Sequence, residues 1–468
     1  MNVEFAVVGH PNKGKSSIVA TLAENESIAI GATPGTTQSA NRYAFAIDGR
    51  PLYTLVDTPG FQRASAVLNW LKDHVGDASS RPDVVRAFVE SHEDNPRFRD
   101  ECELLQPILS GAGILYVVDG SKPYGAEFEI EMEILRWTGQ PRMALINLIG
   151  EARYLQQWSS ALDQYFSIVR VFNAQTADFE SRLNVLKAFA ELDENWRPVM
   201  DQAVVALKSE RQHRLDRSAQ EISGALLDCL TFVQRGVVVA GDTPEEVEQR
   251  LRHDLERRVR LREQSARTLV QALYRHELLN ADEASLPVLT MGLFSSEGWA
   301  LFGLSRTQLL LTGSLTGAVT GLGVDALVGG TTALLGATIG AVVGGATSWL
   351  GGGEIAKVLV SGNALGGKTV QVGPISAANF PWVFLGRAWV HHHLVAERNH
   401  AVREALASSL DGQEHLMNRL PGELRAGLAK VLREIQLKGQ NKERIERLHQ
   451  CLRALLIMSP DGAVPVDS

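Results

Sequence analysis

The chain has 468 residues, 45% of them hydrophobic and 21% charged, with a net charge of -8 and a pI of about 5.9. That length exceeds what one core usually holds, so two or three domains are expected, and the composition points away from a disordered chain. The acidic balance argues against nucleic acid as a partner, since nucleic-acid-binding domains usually carry a basic face.

Cys102, Cys229 and Cys451 lie far apart without CxxC spacing, which suggests neither a disulfide framework nor a zinc site and fits a reducing compartment. The N-terminus runs straight into a strand-like stretch, Val3 to Val8, with no export signal, so a cytoplasmic location is expected.

Residues 1–198 alternate short β-branched runs with helix-like stretches. The runs are Glu4–Val8, Leu52–Val56, Ile114–Val118, Met143–Ile146 and Ile168–Phe172. Strands alternating with helices predict an α/β domain with a mainly parallel sheet and helices on both faces. The first run leads into Gly9-His10-Pro11-Asn12-Lys13-Gly14-Lys15-Ser16, which fits GxxxxGK[ST], and then into a helix over Ser17–Ala23. In such a loop the glycines let backbone N–H groups curl around phosphate oxygens. Lys15 reaches the β and γ phosphates, the Ser16 hydroxyl binds magnesium, and the helix N-terminus faces the negative charge.

Two companions come next in order. Thr33-Pro34-Gly35-Thr36-Thr37 offers hydroxyls that could close over magnesium. Leu52–Val56 ends in Asp57-Thr58-Pro59-Gly60, where the acid can hold a magnesium-bound water and the Gly60 N–H can approach the γ phosphate. About fifty residues with helix-like charge patterns then separate Gly60 from Ile114. This insertion, over about 61–112, is expected to pack beside the switch and carry its motion; the alternative is a surface decoration.

The same pattern recurs in Gly362-Asn363-Ala364-Leu365-Gly366-Gly367-Lys368-Thr369. There it leads into Val370-Gln371-Val372-Gly373-Pro374, strand and turn rather than helix, so a hairpin turn is expected and not a second phosphate site.

The segments GHPNKGKSS, PGTTQ and DTPG resemble the Era and TrmE branch of P-loop GTPases over about the first 180 residues. With VVDGSKPYG, EILRWTGQPRMALIN and VRVFNA, the whole chain resembles bacterial Era-type GTPases that carry a long C-terminal domain of unknown function. The resemblance implies GTP and GDP as ligands, held by Gly9, Asn12, Lys13, Gly14, Lys15, Ser16 and Ser17. It implies Mg2+ on Ser16, Thr37 and Asp57, a catalytic set of Asn12, Lys15, Thr37 and Gly60, and a potassium ion beside Asn12. Asn147 and the pair Asn173-Ala174 stand where the base is read.

Two departures from the family pattern matter. The guanine-reading Asn-Lys-x-Asp becomes Asn147-Leu148-Ile149-Gly150, with Glu151 next in line. Discriminating bases by hydrogen bonding needs the missing acceptor, so relaxed specificity is open. Where a Ras-like enzyme has a water-orienting Gln, Phe61 stands, with Gln62 one place on. Slow hydrolysis is therefore expected, accelerated by potassium, by homodimerisation through the GTPase domain or by a partner; Lys13 is a further source of charge.

Residues 199–290 read as charged and helical. Thr243-Pro244-Glu245-Glu246 predicts a capped helix start, and Val247, Leu251, Leu255 and Val259 mark one apolar face. Residues 291–353 are glycine-rich, with uncharged runs over 307–324 and 326–353 on either side of Asp325. Gly313, Gly317 and Gly321, like Gly336, Gly340 and Gly344, recur at every fourth place, which predicts a helical hairpin packed through glycine stripes, either in a bilayer or in a soluble fold.

Residues 354–458 predict a strand hairpin (Ala356–Val360, Thr369–Val372) and then helices, and 459–468 a frayed tail. His391-His392-His393 is expected to pack rather than bind metal, because consecutive helical residues point in different directions; Trp382, Phe384 and Trp389 are expected in the core.

These features predict a GTPase domain followed by a mostly helical region, hydrolysing GTP as a switch or mechanoenzyme at a membrane, with a membrane or membrane-protein partner and association with the inner membrane. Two alternatives stand beside it. One is a nucleotide sensor with little turnover that regulates a membrane partner. The other is an Era-like RNA- or ribosome-associated GTPase.

Overall fold

The computed structural model describes residues 3–28, 30, 39–276, 292–304, 309, 356–362, 368–402 and 416–460. Its backbone divides into two units, Met1–Gln212 with Glu397–Glu404, and His213–Ala396 with Ala405–Ser468.

In the first unit the chain runs β1 (Glu4–Val8), α1 (Lys15–Ala23), β2 (Asn41–Ile47), β3 (Arg50–Asp57), α2 (Ala64–His74), α3 (Arg81–His92) and α4 (Arg99–Leu109). It continues through β4 (Gly113–Asp119), α5 (Ala126–Trp137), β5 (Arg142–Asn147), α6 (Leu155–Leu162), β6 (Ile168–Phe172) and α7 (Phe179–Leu192) to α8 (Arg197–Thr231), which runs on into the second unit. The six strands form one sheet in the order β2-β3-β1-β4-β5-β6, parallel except for β2 against β3.

Side chains alternate across a strand, so a sheet buried on both faces reads as a continuous apolar run. Phe5 and Val7 of β1 join one core with α1 and α7, while Ala6 and Val8 join the other with α2 to α5. Leu115 and Val117 against Ile114, Tyr116 and Val118 divide in the same way on β4. The parallel register pairs Val7 with Asp57 and Asp119 with Asn147. The carboxyl ends of β1, β3 and β5 therefore share one edge, where open α/β sheets bind ligands.

The edge strand β2 is not among the strands expected from the sequence. Tyr43, Phe45 and Ile47 alternate along it, and it is joined to β3 by Asp48 and Gly49, whose φ angles of 51° and 74° are those of a primed hairpin turn. The insertion is built rather than loose. Val67, Leu68, Leu71, Val85, Phe88, Leu104, Leu105 and Ile108 from α2, α3 and α4 are buried in the core on that face of the sheet.

Within 199–290, read from the sequence as charged and helical, the second unit also holds a strand. β7 (Gln234–Val238) pairs with β9 (Lys368–Ile375), which also pairs with β8 (Ala356–Gly362), giving the order β7-β9-β8. The local signal for β7 is a short run, Val237-Val238-Val239, between two charged helical stretches. Helix α9 (Pro244–Leu273) starts in the expected capping box: Thr243 accepts from the Glu246 N–H at 3.2 Å and Glu246 accepts from the Thr243 N–H at 2.9 Å. Val247, Leu255 and Val259 are buried, and Leu251 packs against the same core.

Helices α10 (Ser296–Phe302), α11 (Phe380–Ala396), α12 (Gly422–Lys438) and α13 (Lys442–Ile457) complete the described part, which is mostly helical. Trp382, Phe384 and Trp389 are core residues. His391 meets the Gln271 amide at 3.3 Å, and His392 meets the Tyr274 hydroxyl at 3.0 Å. Burial, helped by neighbouring His391 and His393, pushes the His392 pKa down to about 3. Apart from Leu309, the glycine-rich runs over 307–353 lie outside the described residues, so the expected helical hairpin does too. Among the described residues no helix is long and apolar enough to cross a membrane.

Candidate nucleotide-binding site

Residues Gly9 to Gly14 connect β1 to α1 as a loop that turns through left-handed backbone at Asn12 (φ 60°) and Gly14 (φ 85°). Asparagine tolerates that region, whereas at Gly14 a side chain has no room: a Cβ there would sit 2.2 Å from the Asn147 amide nitrogen. The Lys15 ammonium folds into the loop and donates to the carbonyls of Gly9 at 3.0 Å and His10 at 3.2 Å. Burial lowers its pKa to about 8, against the opposing pull of Asp57 and Glu131. An ammonium buried against loop carbonyls suits an arriving phosphate, whose negative charge offsets the cost of burying it. Ser16 and Ser17 sit on the first turn of α1, and Asn12 is exposed on the loop.

Ser16 Oγ donates to Asp57 Oδ2 at 2.7 Å. A hydroxyl and a carboxyl oxygen at the end of a buried strand are the hard donors that magnesium takes. The residues therefore fit the ion, with Ser16 as a ligand and Asp57 beside it. When bound there it would neutralise charge on the phosphates. Thr58 donates to the Val7 carbonyl at 2.8 Å, which ties this strand end to β1. Gly60 lies against the phosphate loop; a Cβ on it would come within 2.7 Å of Pro11 N. Thr37, expected on magnesium, lies outside the described residues.

At the carboxyl end of β5, Asn147 is buried and ties the phosphate loop to the segment after β6. Its amide donates to the Lys13 carbonyl at 3.2 Å, and its oxygen accepts the Ala174 N–H at 3.3 Å. Asn173 donates to the Leu148 carbonyl at 2.7 Å, and Thr21 donates to the Ala174 carbonyl at 2.7 Å. Asn147, Asn173 and Ala174 are thus brought together with the phosphate loop. Gly150 packs toward Ser121, and Glu151 is exposed and paired with Arg153 at 2.7 Å.

Phe61 is 2% exposed, buried in the core with the insertion, and so is not placed to orient water. The Lys13 ammonium lies over the Phe128 ring at 5.5 Å.

Three acids escaped the sequence reading. Glu131 of α5 meets His10 Nδ1 at 2.9 Å and accepts from the Tyr116 hydroxyl at 2.8 Å. Glu101 and Glu103 of α4 accept backbone N–H groups flanking the site. On charged helices such residues look like ordinary solvated acids, and nothing in the local pattern singles them out.

A family model described as 50S ribosome-binding GTPase matches residues 4–147. One described as a domain of unknown function, DUF3482, matches residues 159–455. GTPase Der of Thermoanaerobacter sp. is 31% identical over 121 residues, covering 25% of this chain and 27% of that protein. GTPase Der of Chlamydia muridarum is 26% identical over 174 residues, covering 36% and 35%. The chain thus spans only about a quarter to a third of the length of these curated relatives.

Among solved structures, Era of Aquifex aeolicus bound to GDP and aluminium fluoride gives a TM-score of 0.29 at 14% identity, over 51% of this chain and 73% of that one. Era in complex with MgGDPNP and a fragment of 16S ribosomal RNA gives 0.29 at 14%, over 58% and 90%.

Proposed function

The chain belongs to the DUF3482 family, with a P-loop GTPase domain ahead of that region, and from this premise we propose that it hydrolyses GTP slowly as a conformational switch. The observation that carries the proposal is the convergence of Lys15, the Ser16–Asp57 pair and Asn147 on one edge of the sheet. Lys15 would hold the β and γ phosphates. Ser16, Asp57 and Thr37 would surround the magnesium ion, and Gly60 would sense the γ phosphate. Asn147, Asn173 and Ala174 would line the base, with relaxed preference for guanine because Gly150 offers no carboxylate.

Phe61 in the core leaves the attacking water without a side chain from that position. The missing charge would come from potassium beside the exposed Asn12, from a second copy of the domain or from a partner. γ-Phosphate contacts would order the two loops, and hydrolysis would release them. The uncharged glycine-rich runs support a membrane or membrane-protein partner, which would make the switch act at the inner membrane. The description of the matching GTPase model favours one other partner, the ribosome.

The test is phosphate release by the full chain from GTP and from ATP, in potassium and then in sodium. Potassium-stimulated turnover of GTP supports the proposal, and equal use of ATP places the loss of discrimination at Gly150. Tight binding without turnover in either salt replaces it with a sensor. Vesicle flotation and ribosome co-sedimentation, each with and without nucleotide, decide between the two partners.

A further inference from the structure

We infer that Glu101, on the insertion helix α4, is the positioning residue of the segment just after Gly60. This rests on the proposed GTPase activity. Glu101 is 1% exposed. One carboxyl oxygen accepts the backbone N–H groups of Gln62 at 3.0 Å and Arg63 at 2.6 Å; the other is buried with no hydrogen-bond partner among the described residues. A buried carboxyl with one oxygen unsatisfied is a poor way to stabilise a core. What it does locally is specific: it holds two consecutive amides at the start of α2, whose own N-cap, Arg63, makes no side-chain cap.

The held amides come directly after the site. Gly60, two residues before Gln62, lies against the phosphate loop at Pro11, and Phe61 between them is buried with Leu104 and Leu105 of the same α4. Two residues along that helix from Glu101, Glu103 accepts the N–H of Ala40 at 3.0 Å, at the entry to β2. One helix therefore grips the backbone behind Gly60 and the backbone at the entry to β2. Here Glu101 sets how closely Gly60 can approach a γ phosphate, without touching the nucleotide.

The test compares Glu101→Ala and Glu101→Gln in the full chain with Val85→Ala, which loosens the insertion core without touching the grip. Three quantities are read: amide exchange at Gln62 and Arg63, the affinity ratio for a non-hydrolysable GTP analogue over GDP, and kcat. Glu101→Ala is expected to speed exchange at both amides at least tenfold. It should also lower kcat at least tenfold, reduce the affinity ratio and leave GDP affinity within threefold. Glu101→Gln keeps an acceptor oxygen and falls between. Val85→Ala, at equal loss of Tm, leaves kcat and the ratio within twofold.

Unchanged exchange in Glu101→Ala, or effects no larger than those of Val85→Ala, overturns the inference. If the wild-type chain does not turn over GTP, the hydrolysis proposal fails on its own. Exchange and the affinity ratio then still decide the role of Glu101.

Discussion

The pattern GxxxxGK[ST] occurs twice in this chain, and the two copies end in different structures. At 9–16 the lysine turns inward onto the loop carbonyls and a helix begins behind it. At 362–369 the flanks are the two arms of an antiparallel pair, with Gly362 opposite Lys368 and Ser361 opposite Thr369. Lys368 is exposed in its strand. What separates the two copies is their neighbours: the first has a helix N-terminus behind it and Asp57 facing it from the end of an adjacent strand, the context a phosphate cradle needs.

The largest effect that could break this comparison is at the two lysines. Lys15→Ala is expected to weaken GTP binding at least 100-fold, about 2.7 kcal/mol, while Lys368→Ala leaves it within twofold, both by calorimetric titration. Gly14→Ala comes next. Its φ of 85° and the 2.2 Å approach to Asn147 leave no place for a methyl group. The expected result is about tenfold weaker GTP binding and a loss of ~1–2 kcal/mol in denaturant stability.

A pH effect arises from Lys15, whose amine burial holds at about 8 against an ordinary 10.5. Bound phosphate favours the charged amine, so GTP affinity should be steady below about pH 8 and fall as pH rises beyond it. That slope should vanish in Lys15→Ala. Stability without nucleotide has the opposite sign. Between about 8 and 10.5 the unfolded chain binds the extra proton, so rising pH stabilises the folded first unit through this group. The smallest effect is remote from the site. Thr243→Ala removes the cap of α9 and should cost ~1 kcal/mol of thermal stability, with no change in nucleotide affinity.

Much of the first unit was legible because its signals are local. Glu4–Val8 and Ile168–Phe172 are strands with the bounds expected, and Ser16 does face Asp57. The edge strand β2 was missed although Asp48-Gly49 is a hairpin signal and Tyr43, Phe45 and Ile47 alternate before it. β7 was not expected either, although Val237-Val238-Val239 is a β-branched run before Gly241-Asp242; the run is short, sits between two charged helical stretches, and its partner β9 lies more than a hundred residues later. The grip of Glu101 was illegible for a different reason. Burial of an acid on a charged helix depends on tertiary packing, and the groups it serves are backbone amides, which every residue but proline carries.

The most direct test is the stoichiometry and location of nucleotide binding. A fluorescent GTP analogue would be titrated with magnesium into the full chain, into Lys15→Ala and into Lys368→Ala. One site per chain, competed by GDP, lost in Lys15→Ala and retained in Lys368→Ala is the predicted result. Binding that survives Lys15→Ala, a second site lost with Lys368, or no binding to the wild-type chain would contradict the account.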